Sequence, residues 1–352
     1  MKIKFLLLLG FLSLSGLAQK HHNVENIILI SVDGFRWQEV FKGADSLLIE
    51  DKKFWTDNKV ERRQKLLPFF WNEIAAKGQL YGNRDHGNKV DVKNKYWFSY
   101  PGRSETLCGY YDPKVNSNDY PNNPNENVLE FFNSHKAYKG KVITFASWNA
   151  LGRILNRDRN GMLVNLPEED VLGANSSEAQ QLINELQHLI PDHYPDCRPD
   201  ELTYIMTKAY IQKNKPKVIH IDFCDTDIYG HNGEYSKYLD AAHRIDKMIA
   251  DLWNTLQNDP FYKDKTALLI FPDHGRGLGD KWTDHGTGAP HSNETWFAAL
   301  GPGIPTLGEV SEENQIYQDQ IAQTAAHILG MTFKANHPVG ERIEGVYLSA
   351  RK

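Results

Sequence analysis

Cysteine is scarce in this chain: Cys108, Cys197 and Cys224 are the three in 352 residues. So small and odd a set excludes a disulfide framework as the source of stability and leaves at least one thiol free. No Cys-x-x-Cys pair occurs, which excludes a zinc-finger type of thiolate site; Cys108 and Cys224 sit in apolar surroundings and read as small core residues. Charge of one sign is lacking too. Lys and Arg total 40 against 45 Asp and Glu, a net of −5 with no basic block. That balance disfavours nucleic acid as a scaffold partner and leaves a small nucleotide substrate open. Past the N-terminus no apolar run reaches the about 20 residues of a membrane span. There is no internal repeat, no low-complexity tract and no linker demanding two independent domains.

The one long apolar stretch is at the start. Lys2 and Lys4 precede an apolar core from Phe5 to Leu14, and Gly16-Leu17-Ala18 supplies small residues for cleavage. This predicts a signal peptide over residues 1–18, export to the periplasm or beyond, and Gln19 as the first mature residue. No Cys follows the cleavage point, so no lipid anchor is expected. Residues 19–352 are long enough for one large α/β domain. The polar segment from Arg153 to Pro199, with a helix over Ser177–Leu189, is the expected cap or substrate wall. The sequence leaves the oligomeric state open.

Several short apolar runs end on acid or imidazole. Asn26–Val32 is followed by Asp33-Gly34, Ala267–Phe271 by Pro272-Asp273-His274-Gly275, and Val218–Phe223 by Asp225, Asp227 and His231. Runs of this kind read as strands buried on both faces, hence a largely parallel sheet with helices on both sides, where ligands bind beyond the carboxyl ends. Lys141–Ala146 and Trp296–Leu300 are two more strands, the latter the last of the sheet. The stretch Pro68–Lys77 and the amphipathic Tyr235–Leu256 are helical, and His243 within the latter is structural. A single Asp after a strand is ordinarily a cap or turn residue. The set is what carries weight. Asp227 and His231 are four apart, within reach of one ion on a helical turn. Carboxylate and imidazole together suit zinc, and the residues divide into two sites. One takes Asp33, Asp273, His274 and a serine oxygen; the other takes Asp227, His231 and His285, with His291 as the alternative last ligand.

The serine comes from Ser99-Tyr100-Pro101-Gly102-Arg103, which opens a helix-compatible run closing on Gly109. A serine hydroxyl needs an activator near pH 7, and a metal ion that lowers its pKa is one. Ser104 is the rival nucleophile. Arg103 has the fork geometry to hold a non-bridging substrate oxygen or to brace a neighbour.

In their order, these motifs resemble the alkaline phosphatase superfamily, and most of all its nucleotide pyrophosphatase/phosphodiesterase branch. There the nucleophile is usually Thr, followed by Phe-Pro-Asn and closing on Gly ten residues later; Ser99, Tyr100, Pro101 and Gly109 match that frame, and Gly102 stands where Asn is usual. Gln320–Gly330 looks like the family's terminal helix. The resemblance implies an alkaline-phosphatase-like fold and an exported two-zinc hydrolase of phosphate esters, phosphodiesterase or phosphatase. Such an enzyme would act through a phosphoseryl intermediate on Ser99, with Asn116 or Asn118 donating to a phosphoryl oxygen of a small-molecule ester.

The same residues fit a second signature. Ser99-x-Pro101-x-Arg103 is similar to the sulfatase motif, which implies formylglycine at position 99 and one calcium. Sulfatases carry paired Asp after the first strand and Asp-Asn or Asp-Gln late in the chain, whereas Asp33-Gly34 and Asp273-His274 stand here. Imidazole is a poor ligand for calcium. A binding protein that keeps the fold without catalysis is the third reading, disfavoured by the complete ligand set.

Overall fold

The computed structural model describes residues 24–171, 178–191 and 196–348; the expected signal peptide lies outside them. The strands in chain order are β1 (Asn26–Val32), β2 (Gln79–Tyr81), β3 (Asn88–Asp91), β4 (Val142–Ala146), β5 (Leu163–Asn165), β6 (Val218–Phe223), β7 (Thr266–Pro272), β8 (Glu294–Thr295), β9 (Phe297–Leu300), β10 (Gly308–Glu309) and β11 (Asn314–Tyr317). Eight of them form one sheet in the order β10, β2, β9, β7, β1, β6, β4, β5, and the small sheet is β11, β3, β8. From β5 through β7 every pairing is parallel, while β9 runs antiparallel to both β7 and β2. The fold is therefore the expected α/β architecture with a mostly parallel central sheet.

All seven residues of β1 are buried, as a strand covered on both faces requires. Side chains alternate across a strand, so Ile28 and Ile30 join the core under the Tyr235–Gln257 helix, while Ile27 and Leu29 join the core under the Ile321–Ile328 helix. The Tyr235–Gln257 helix earns its place by spacing: Tyr238, Leu239, Ala242, Ile245, Ile249, Leu252 and Leu256 are buried along one stripe. His243, on its flank, bonds the Leu66 carbonyl at 2.7 Å.

One expectation is corrected. Phe297–Leu300 is not the last strand, because Gly308–Glu309 adds β10 at the sheet edge. A two-residue strand of Gly and Glu carries no apolar alternation by which to read it. Within Arg153–Pro199, the segment expected as a cap or substrate wall, Leu163–Asn165 pairs with β4 as an edge strand of the main sheet.

Register positions the site. Val32 pairs with Pro272 on one side and Phe223 on the other, so β7, β1 and β6 end at one level. Asp33, Asp273-His274 and the Asp225–His231 helix therefore emerge side by side at the carboxyl edge.

Candidate active site

Ser99 is the first residue of the Ser99–Cys108 helix, preceded by Phe98 in extended conformation and closed by Gly109 at φ 63°. Pro101 falls within the first turn, where a missing N–H costs nothing. All ten residues of the helix are buried. The absence of a side chain at Gly102 makes this packing possible, since a Cβ there would stand 2.2 Å from the Asp273 carbonyl oxygen. Asn, usual at this position in the resembling branch, would not fit without moving the helix off β7.

Ser99 Oγ lies 3.2 Å from His274 Nε2. The other ring nitrogen, Nδ1, lies 2.8 Å from the Gly275 carbonyl, to which it donates, so Nε2 of the neutral ring presents a lone pair. That lone pair faces Asp33 Oδ1 at 3.2 Å, and Asp33 Oδ1 is buried without a hydrogen-bond donor. Two acceptors so placed need a proton or a cation between them. Against the cost of burial, the Asp273 and Asp33 carboxylates raise the His274 imidazole to about 9, which is the proton's answer in the absence of an ion.

A second group adjoins the first. His231 Nε2 is 3.0 Å from both Asp227 Oδ2 and His285 Nε2, and His285 Nε2 is 3.7 Å from the same carboxylate oxygen. Burial first, then the neighbouring His274, pushes the His285 imidazole down to about 4, the neutral form a ligand needs. Among the described residues Asp33, Asp227 and His274 also converge, so Asp227 is the corner that the two groups share. Four buried carboxylates, Asp33, Asp222, Asp227 and Asp273, face two buried guanidinium groups, Arg103 and Arg276. The donor types, the facing lone pairs and the excess of negative charge all fit divalent cations.

Asp273 stands beside these donors with its oxygens engaged. Oδ1 accepts from the Gly34 and His274 amides at 3.1 and 2.9 Å, while Oδ2, 3.7 Å from His274 Nε2, pairs with Arg103. Arg103 does not reach for a substrate. Its guanidinium is buried and spent on Asp33 at 2.9 Å, Asp222 at 2.7 Å and Asp273, so the substrate-binding expectation gives way to a brace beneath the site. Asn116 is exposed and outside the cavity lining, because the turn carries it away from Ser99. Asn118 does line the cavity, its Oδ1 accepting from the Tyr100 amide at 2.9 Å, which leaves Nδ2 as donor. Ser104 accepts from Asn123 Nδ2 at 2.8 Å, away from the donors, and His291 is exposed beside Glu294 at 2.9 Å.

Sequence reasoning missed Arg276, which pairs with Asp227 Oδ1 and donates to the Trp282 and Thr283 carbonyls at 2.8 and 2.6 Å. It thereby ties the shared carboxylate to the loop that bears His285. Trp148, Ile228, Cys197 and Cys224 were missed as well; with Asp33, Ser99, Asn118, Asp227, His231 and His285 they line a cavity of about 210 Å³. Cys224 is thus a wall residue as well as a core one.

Gly34 tests how tight this assembly is. At φ 58° a Cβ would stand 2.4 Å from Asp227 Oδ1. Gly34→Ala should displace that carboxylate and cost activity by about 10²-fold, as a misplacement near 1 Å does. Steady-state rates beside bound-metal analysis check it; an unaltered rate with full metal would show that Asp227 tolerates the shift.

The sheet order, the donor groups at its carboxyl edge and the helix-borne serine give the chain an alkaline-phosphatase-like fold. More particularly, residues 196–332 match the family model described as Metalloenzyme superfamily. Among solved structures the chain is similar to the alkaline phosphatase PafA (TM-score 0.62, 12% identical, 92% of this chain on 99% of that one). It is also similar to BT1596, a 2-O GAG sulfatase (TM-score 0.53, 12% identical, 89% on 72%). In sequence, it is 28% identical over 102 residues to a protein of Leptospira interrogans named "Probable 2,3-bisphosphoglycerate-independent phosphoglycerate mutase". That match takes in 29% of this chain and 17% of the relative, so the chain spans under a fifth of the length of that curated relative.

Proposed function

We propose that this chain is an exported two-zinc hydrolase of phosphate esters whose nucleophile is Ser99, with diesters as its better substrates. The observation that carries the reading is the position of Ser99 Oγ, 3.2 Å from His274 Nε2 at the mouth of two donor groups that share Asp227. Asp33, Asp227 and His274 would hold one cation beside the serine oxygen, with Asp273 adjoining; Asp227, His231 and His285 would hold the other. When bound, the ions stabilise charge on the oxygens of the transferring group and lower the pKa of a coordinated hydroxyl or water.

The chain's own part is positioning. Ser99 Oγ attacks phosphorus, the serine–phosphorus ester forms as the bond to the leaving alkoxide breaks, and water later cleaves the phosphoserine. Asn118 Nδ2 and the start of the Ser99–Cys108 helix supply neutral donors to the phosphoryl oxygens. No Lys or Arg is among the described residues lining the cavity, and Trp148 and Ile228 form an apolar wall. A diester, with one negative charge and a second organic group, suits such a wall better than a monoester dianion.

Imidazole in both donor groups favours zinc and phosphoryl transfer over calcium. The second reading, a sulfatase, is favoured by Arg103 alone, in the Ser-x-Pro-x-Arg frame. One panel separates them. Purified protein should contain zinc and hydrolyse bis(nitrophenyl) phosphate faster than nitrophenyl phosphate, with nitrophenyl sulfate far behind. Chelation should abolish the activity and zinc restore it. Sulfate hydrolysis with calcium bound and formylglycine at position 99 by mass spectrometry would replace this reading with the other.

A further inference from the structure

Two of the three thiols meet in the wall of the cavity. Cys197, Cys224 and Ile228 form a small apolar cluster of their own with Trp148 packed against it, and both thiols are free. They are far apart in sequence, so the contact is imposed by the fold. Cys197 bridges Trp148 as a short antiparallel pair just past β4. Cys224 follows β6 and caps the helix that carries Asp227 and His231. Asp200 clamps the two segments, its Oδ1 accepting from Ser147 Oγ at 2.6 Å and the Cys224 amide at 2.9 Å, its Oδ2 from the Asp225 amide at 3.1 Å. The Arg198 amide, next to Cys197, donates to the Ser147 carbonyl at 2.8 Å. A thiol pair that adjoins in one clamped cavity wall meets the first requirement for a disulfide, that the two side chains stand next to each other.

We propose that hydrogen peroxide converts Cys197 and Cys224 to a reversible disulfide that narrows the Ser99 cavity and lowers turnover. Cys197 is the more exposed of the two, at 6% against 2%. Burial, together with the Cys197 contact, pushes the Cys224 thiol well above its usual range, so Cys197 is the thiol that meets the oxidant. Its sulfur attacks one peroxide oxygen: the S–O bond forms, the O–O bond breaks, and the thiol proton leaves with the departing hydroxide as water. Cys224 sulfur then displaces the hydroxyl of that sulfenic acid, forming S–S and releasing a second water. Two thiols are oxidised and one peroxide is reduced to two waters. The bond draws the cap of the Asp225–His231 helix toward Trp148, across the face where a substrate's organic group would lie.

The covalent part needs no assay of activity; the effect on turnover rests on the phosphoesterase reading. Full-length protein is treated with peroxide, quenched with catalase, alkylated and mapped by peptide mass spectrometry. A linked Cys197–Cys224 peptide is expected, with Cys108 alkylated as the internal control. Diester kcat/KM should fall at least about fivefold and recover with a phosphine reductant, which spares bound zinc. In Cys197→Ala and in Cys224→Ala the ratio of treated to untreated rate should stay at one, whatever each variant's basal rate. Both cysteines separately alkylated after peroxide would overturn the bond, and a cross-linked enzyme with unchanged kcat/KM would overturn its effect. A protein that hydrolyses no ester yet cross-links would sink the phosphoesterase reading and leave the disulfide standing.

Discussion

Ser99→Ala should lower ester hydrolysis by about 10⁴-fold or more while the protein keeps its metal, because removal of a nucleophile from an otherwise intact site costs on that order. The structure gives reasons for both halves. Ser99 Oγ lies beside His274 Nε2 and is the hydroxyl among the described residues that line the cavity, hence the group placed to form an oxygen ester with phosphorus. Yet the donors that converge without it are carboxylates and imidazoles from three other segments, and Arg103 and Arg276 hold them in place. Ser104→Ala is the paired control. Its hydroxyl accepts from Asn123 inside the fold, so that change should perturb packing and leave most of the rate. Elemental analysis and rapid-quench detection of a phosphoserine at position 99 are the measurements. A Ser99→Ala enzyme at near-normal rate would remove the nucleophile from the mechanism, and one that lost its metal would show the serine to be a structural ligand instead.

How much of this was legible in the chain follows from physics. Parallel strands buried on both faces write themselves as unbroken apolar runs, so β1, β6 and β7 were readable, and so were the polar residues that end them. That those ends meet is a matter of register, and three adjacent strands finishing at one level leave no other arrangement. Arg103 shows where such reading stops. The motif fixed its place on the Ser99 helix but not its direction, and the signal lay elsewhere, in Asp222. An acid in the middle of the run Val218–Phe223 requires a buried cation, and only the folded sheet shows that Arg103 supplies it. Arg276 carried a fainter mark, a long cationic side chain between Gly275 and Gly277, where both neighbours must pack tightly against other backbone. The apolar wall of Trp148, Cys197, Cys224 and Ile228 had no linear signature, because its members come from three segments joined by a clamp on Asp200.

The shared corner makes Asp227→Asn the most damaging single change. Neutralising this carboxylate removes a donor from both groups at once, so the variant should lose both equivalents of metal and at least about 10³-fold of its rate, where His231→Ala loses one equivalent. It should also be less stable before any metal is considered. Asp227 Oδ1 pairs with the Arg276 guanidinium, whose other partners among the described residues are the Trp282 and Thr283 carbonyls. Leaving a buried charge without its partner costs about 3–5 kcal/mol. The two effects can be pulled apart. Adding Arg276→Gln to Asp227→Asn removes the stranded cation, so the double variant should regain much of the lost melting temperature while staying empty of metal and inactive. Retention of one full equivalent of zinc by Asp227→Asn would mean that one group binds without the shared carboxylate. A double variant no more stable than the single one would mean that Arg276 does not depend on Asp227 for its place. If both behave as expected, Arg276 is the residue that presets the corner and positions the His285 loop before a cation arrives, which is why a site so rich in acid can fold without one.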